Sequence, residues 1–156
     1  MKKSIKTTII ILVIILIIVW IVSKMPFATN INQTITAEKY VNGAAVEETS
    51  VFINGVRSNY LFSDKQYYEG QFIIESYEIT GREGMKANIE WYKDYEDSDV
   101  QRILYFQNAL FPSLEICHEM LINNEMDEFA MGFKDGTVIS TSDEMFENYI
   151  KNYMKD

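Results

Sequence analysis

The residues with the most reactive side chains stand side by side. Cys117 and His118 are the only cysteine and the only histidine in the chain. A thiol beside an imidazole is the pair from which nucleophilic cysteine enzymes are built. Sequence neighbours, however, point to opposite faces of a strand and diverge on a helix. The two therefore cannot act on each other, and no second histidine can serve Cys117. The plain reading is a small buried thiol and a strand-borne imidazole, with an intermolecular disulfide left open to the unpaired cysteine. Serine hydrolysis meets the same shortage of bases. The chain has no Gly-x-Ser-x-Gly elbow and no Ser-x-x-Lys.

Carboxylates are abundant, with 23 Asp and Glu. A small hydrolase working through two of them would need the pair to converge in a cleft. The densest run is DYEDSD, residues 94–99. Asp94, Glu96, Asp97 and Asp99 offer the several oxygens that calcium takes from a flexible loop. The run lacks the central Gly and distal Glu of an EF-hand, and its plain reading is a solvated acidic hairpin loop. Asn124–Glu128 is a second, weaker acidic stretch. One Cys and one His exclude a self-contained zinc site. Gly81-Arg82-Glu83-Gly84 opens no helix and reads as a turn, not a phosphate loop. Leu110 and Phe111, within FQNALFP, form a partner-binding patch if exposed and a core-covering loop if not.

These residues must be held by strands. Met85, Ala87, Ile89 and Trp91 alternate with polar residues, the pattern of a half-buried strand. Residues 71–79 form the strand before it, and 80–84 the hairpin loop between. Asn42-Gly43 and Asn54-Gly55 both carry type I′ turn chemistry, predicting a hairpin at each. Residues 100–106 are a further strand. Over Leu114–Ile122 the alternating pattern favours a strand, although a helix starting at Pro112 and Ser113 also fits. Phe129, Met131 and Phe133 alternate, Lys134-Asp135-Gly136 turns, and residues 137–140 run back. Thr141 to Glu144 fits a capping box with Thr141 as the cap. Beyond it, Met145, Phe146, Tyr149, Ile150 and Tyr153 form one apolar helical stripe.

The amino-terminal end is different. Residues 7–23, from Thr7 through Ile14 and Trp20 to Ser23, contain no charge, no Gly and no Pro. A helix over them spans about 26 Å, and including Ile5 and Lys6 brings it near the ~30 Å hydrocarbon core of a bilayer. Trp20 falls where an indole suits the headgroup layer. Lys2, Lys3 and Lys6 precede the segment and Lys24 follows it, so the positive-inside rule puts the N-terminus in the cytoplasm and residues 25–156 outside. A retained anchor is preferred to a cleaved signal peptide, because Ser23-Lys24-Met25-Pro26 is a poor cleavage site. Residues 28–33 are short and polar, and residues 25–33 read as a tether ahead of a domain over 34–156.

The formal net charge is −9. With the four lysines around the anchor set aside, the rest carries 10 positive against 23 negative charges. That balance excludes nucleic acid as a partner, since phosphate binding needs a basic patch. It also repels anionic lipid surfaces. The strings Val51-Phe52-Ile53-Asn54-Gly55, Tyr60-Leu61-Phe62 and Glu69-Gly70-Gln71-Phe72, behind an anchor and ahead of a C-terminal helix, resemble small membrane-anchored extracytoplasmic proteins of low-GC Gram-positive bacteria. The resemblance implies the same location and no assigned activity.

The expectation is thus an α+β protein: a transmembrane helix, a mostly antiparallel sheet or small sandwich, and one C-terminal amphipathic helix. Its expected role is non-enzymatic binding or accessory work in the cell envelope. The bilayer is a partner through residues 5–23, and an envelope protein or a second copy is the other. No cofactor is expected, and calcium is the ion that residues 94–99 admit.

Overall fold

In the computed structural model, the structure describes residues 2–60, 63–91, 101–107 and 113–153. Helix α1 covers Lys2–Lys24, and Lys6–Lys24 is long and apolar enough to cross a membrane. None of that span packs against the rest of the chain; Ile9 through Ile21 stay about half exposed or more. An unbroken run of Ile, Leu and Val on every face of a helix has no polar side to give to water, so a bilayer suits it better than a soluble surface.

Only Met25 separates α1 from the first strand. The strands are β1 (Pro26–Val41), β2 (Ala44–Tyr60), β3 (Ser63–Ile74), β4 (Met85–Trp91), β5 (Gln101–Gln107), β6 (Ser113–Ile122), β7 (Phe129–Gly132) and β8 (Val138–Ser140). Each pairs antiparallel with the next, and β8 returns to β1, which closes a barrel. This is a more specific architecture than an open sheet or a sandwich. The closure is short: Glu38, Lys39 and Tyr40 face Ser140, Ile139 and Val138. β1 and β2, by contrast, pair along their whole length, from Pro26↔Tyr60 to Val41↔Ala44.

That pairing replaces the tether. Ala28–Gln33 lies opposite Ser58–Ile53 as the first half of β1. The segment reads as polar because one of its faces is open to solvent, while Ile31, Gln33 and Ile35 are half-buried on the other.

The two Asn-Gly pairs part company. Asn42 and Gly43 both have positive φ, 52° and 80°, and join β1 to β2 as a tight turn, as type I′ chemistry demands. Asn54 and Gly55 do not turn; they sit inside β2. Gly55 lies opposite Gly70 of β3. An added Cβ on Gly55 would come within 2.4 Å of the Glu69 carbonyl oxygen and 2.7 Å of the Gly70 Cα. Here glycine serves close approach of two backbones, not a left-handed φ. The Tyr68 hydroxyl lies over the gap, 2.7 Å from where a Cβ on either glycine would sit, and donates to the Gln71 carbonyl at 2.8 Å.

β3 also differs from expectation. It occupies Ser63–Ile74, and the chain then leaves the sheet through a 3-10 turn at Glu78–Gly81 before β4. Thr80, buried, ties this connection down: its hydroxyl accepts from the Ile74 amide at 2.9 Å and donates to the Tyr77 carbonyl at 2.8 Å. Residues 113–122 form a strand, as the alternation favoured.

The barrel interior holds Val51, Ile53, Tyr68, Phe72, Ile89, Ile103, Tyr105, Met120, Phe129 and Met131, all essentially inaccessible. Tyr105 donates to the Phe72 carbonyl at 2.8 Å, so its buried hydroxyl is satisfied. Helix α2 (Asp143–Tyr153) lies outside the barrel. Its Met145, Phe146, Tyr149 and Ile150 join Tyr40, Leu121, Ala130 and Val138 in a second apolar cluster. The helix cap is Ser142, whose Oγ accepts from the Met145 amide at 3.2 Å. Thr141, the expected cap, instead continues the sheet edge: its backbone N–H donates to the Phe129 carbonyl and its Oγ1 accepts from the Phe129 amide, both at 2.9 Å. The box fails because it is one residue out of phase; three residues after Ser142 comes Met145, not a glutamate.

Candidate functional site

One end of the barrel is polar inside. Asn59 of β2, Gln66 of β3 and Trp91 of β4 are direct cross-strand neighbours in one row. The next row inward along β2 and β3 holds Arg57 and Tyr68. Odd positions of β2 that carry Val51 and Ile53 into the core carry Arg57 and Asn59 to the same face, since side chains alternate along a strand. This is the end at which β1 begins, so it is also the end at which the chain enters from α1.

Arg57 organises this end. Its Nε donates to Gln66 Oε1 at 3.1 Å, and Nη2 donates to the same oxygen. Nη1 donates to the Asn124 carbonyl, and Nη2 lies 3.3 Å from Asn124 Oδ1. The guanidinium carbon stands 5.9 Å from the centre of the Trp91 ring, in reach of a cation–π contact. Burial pushes the Arg57 pKa down, the nearby charge of Glu125 opposes the shift, and the group stays cationic. Every acceptor just named is a neutral amide oxygen. Among the described residues, the ion pairs are Lys39–Glu47, Lys86–Glu69 and Arg102–Glu119, and none involves Arg57.

The loop over residues 123–128 closes down on this end. Asn123 holds it, its Oδ1 accepting from the Asp127 amide at 3.1 Å and its amide group donating to Asp127 Oδ1 at 2.6 Å. Met126, at φ 63°, sends its side chain fully into the core. Gln33 of β1 donates to the Met126 carbonyl at 2.7 Å, which joins the loop to the half of β1 that has no partner in β8. Two polar atoms here are buried with no hydrogen-bond partner among the described residues: Trp91 Nε1 and Asn59 Oδ1.

The sequence-derived candidates fall elsewhere. Asp94, Glu96, Asp97 and Asp99, the calcium candidates, and Leu110 and Phe111, the patch candidates, lie outside the described residues. Among the described residues no group of three His, Cys, Asp or Glu side chains could hold a metal ion. In the 124–128 stretch Met126 enters the core, while Glu125, Asp127 and Glu128 are exposed. Thr7, Ile14, Trp20 and Ser23 all lie on α1, where the Ser23 hydroxyl donates to the Trp20 carbonyl at 2.6 Å.

His118 is buried on β6, against Phe133 at 4.6 Å and Tyr77 at 6.1 Å between ring centres. Burial lowers its pKa, Lys134 adds to the lowering, and the Gly132 backbone and Asp135 pull the other way. Its Nε2 has no partner among the described residues. The cysteine side chain beside it lies outside the described residues.

The polar end escaped the sequence reading for one reason. Treating Asn54-Gly55 as a turn broke β2 in two and lost the phase that puts Arg57 and Asn59 on the face of Val51 and Ile53. Comparison with protein-family models, curated proteins and solved structures finds no match to this chain.

Proposed function

We propose that this protein is a single-pass, membrane-anchored barrel that works outside the cytoplasmic membrane as a non-enzymatic binding or accessory module of the cell envelope. The observation that carries the reading is the join: an apolar, unpacked helix passes through one residue, Met25, into the first strand of a closed barrel. So short a join keeps the barrel at the bilayer surface, within reach of other envelope proteins. The lysines before the helix, Lys2, Lys3 and Lys6, against Lys24 after it, support an N-terminus in the cytoplasm. The strings shared in kind with small anchored proteins of Gram-positive bacteria agree with that location.

The test is crosslinking of the full-length protein in intact cells, followed by capture and mass spectrometry. One envelope protein recovered near one-to-one, or a crosslinked second copy, supports the proposal. Turnover of a substrate by the purified protein well above background overturns it. Protease treatment of spheroplasts checks the orientation: the barrel should be cleaved with the membrane sealed, and protection would reverse the topology.

A further inference from the structure

We propose that the polar end of the barrel is a binding site for an oxyanion, a carboxylate or phosphate group, received by Arg57 and the Trp91 indole N–H. The proposal rests on the reading of the barrel as a binding module and names the chemistry it takes.

Arg57 is the anomaly. The chain has 23 acidic residues against 14 basic ones, yet among the described residues this inward guanidinium is held by the amide oxygens of Gln66 and Asn124 and by no carboxylate. Arg57 is half-buried, and a charge partly withdrawn from water gains from an anionic partner. Neutral oxygens use up hydrogen-bond donors without pairing the charge, and the nearby carboxylate of Glu125 acts on it without forming an ion pair among the described residues. Among the described residues four hydrogen-bond contacts engage Arg57, and a guanidinium has five N–H donors. Among the described residues, one donor is left and the charge has no ion-pair partner.

The second observation is independent. Trp91 is 6% exposed, and its Nε1–H, which can only donate, has no acceptor among the described residues. A buried indole N–H normally finds a partner. The cation–π contact sets the indole beside the guanidinium. One anionic oxygen group accepting from both would cancel the charge and satisfy the indole. Gln66, bonded to Arg57 and directly opposite Asn59 and Trp91, holds the guanidinium in place. A metal cation is excluded as the occupant by the same charge, and a neutral amide would satisfy the indole without cancelling it.

The group could be presented by a soluble molecule or by a phospholipid headgroup, since the site lies at the end where the chain enters from α1. Both are tested on the full-length chain carrying Trp20→Phe, so that Trp91 is the only tryptophan reported. In zwitterionic nanodiscs, inorganic phosphate and acetate are titrated at constant ionic strength while Trp91 fluorescence is read. In parallel, phosphatidylglycerol replaces part of the zwitterionic lipid. A saturable change with a free anion supports the proposal with a soluble ligand. A change only with anionic lipid supports it with a headgroup. In either case Arg57→Gln should weaken the response about tenfold or more, the scale of a charge-assisted hydrogen bond, and Arg57→Lys should weaken it less. The proposal is overturned if neither arm gives a saturable change, or if folded Arg57→Gln responds like the parent. Matched circular dichroism of parent and variants shows that the barrel is intact. These outcomes are separate from the crosslinking result, which can succeed or fail with the oxyanion site absent.

Discussion

Replacing Gly55 with alanine should damage the barrel far more than replacing a glycine that needs a left-handed backbone. The new Cβ would lie 2.4 Å from the Glu69 carbonyl oxygen and 2.7 Å from the Gly70 Cα. Both obstacles are backbone, so no rotamer change relieves them; β2 and β3 must separate. Overpacking of this kind costs about 1–3 kcal/mol, and each ladder hydrogen bond lost as the strands part adds about 1 kcal/mol. The expected total is about 3–5 kcal/mol, a large share of an ordinary domain's stability. In a chain of this size it corresponds to a fall of roughly 10–15 °C in Tm. Gly43 is the control: its φ is +80° and a Cβ there meets nothing within 4 Å. Gly43→Ala should cost only the left-handed strain of about 1–2 kcal/mol. Thermal unfolding of the full chain in nonionic micelles, followed by Trp91 fluorescence with Trp20→Phe, measures both. Tyr68→Phe removes a hydroxyl 2.7 Å from the new Cβ but should not rescue Gly55→Ala, because the backbone clash remains. A cost for Gly55→Ala below that for Gly43→Ala would refute the reasoning and restore Asn54-Gly55 as a turn.

Ser142→Ala should cost about 1 kcal/mol through the lost cap, while Glu144→Ala should cost no more than a few tenths; equal losses in thermal melts would reinstate the capping box. Tyr40→Phe keeps the stack on Phe146, at 4.1 Å, and loses the bonds to Asp143 and Glu38, at 2.7 and 3.1 Å. The expected loss is about 1–2 kcal/mol, and a loss as large as that of Tyr40→Ala would mean that the stack contributes nothing. His118 has a folded-state pKa below the usual value near 6.5. The unfolded chain therefore binds the proton first as pH falls, and stability should decline below pH ~6.5 and be level above it with respect to this group. Melts between pH 5 and 8 should show that slope reduced in His118→Phe; an unchanged slope would assign it to other groups.

The parts of the fold legible in sequence were those whose signal is local. The period-2 pattern of Met85–Trp91 and of residues 114–122 matched β4 and β6, and the helical stripe of Met145, Phe146, Tyr149 and Ile150 packs on the barrel as its spacing requires. Asn42-Gly43 turned because both residues need positive φ and nothing else constrains them. What was not legible depends on partners distant in sequence. Gly55 is explained only by Gly70, and the strand character of residues 26–33 only by pairing with 53–60. Closure through Tyr40 and Val138 has no local signature at all. The polar end was hidden by one of these errors: once β2 is read as a single strand, Arg57 and Asn59 fall on the core-facing phase from sequence alone.

The short seam between β1 and β8 sets an order of events for a growing chain. Polypeptides emerge N-terminus first. Each strand from β2 to β7 can zip onto a neighbour already made, as in any meander. The other flank of β1 must wait for Val138–Ser140, made after every other strand of the barrel, and those three supply the β1–β8 pairing. Until then the nascent sheet carries two unpaired edges, the kind that recruit foreign strands. A chain cut short before residue 138 would keep both edges permanently. Termination before residue 138 should therefore yield an aggregating product, not a slightly smaller barrel, and α2, packed on Val138 and Ala130, covers the outer side of the closing strands.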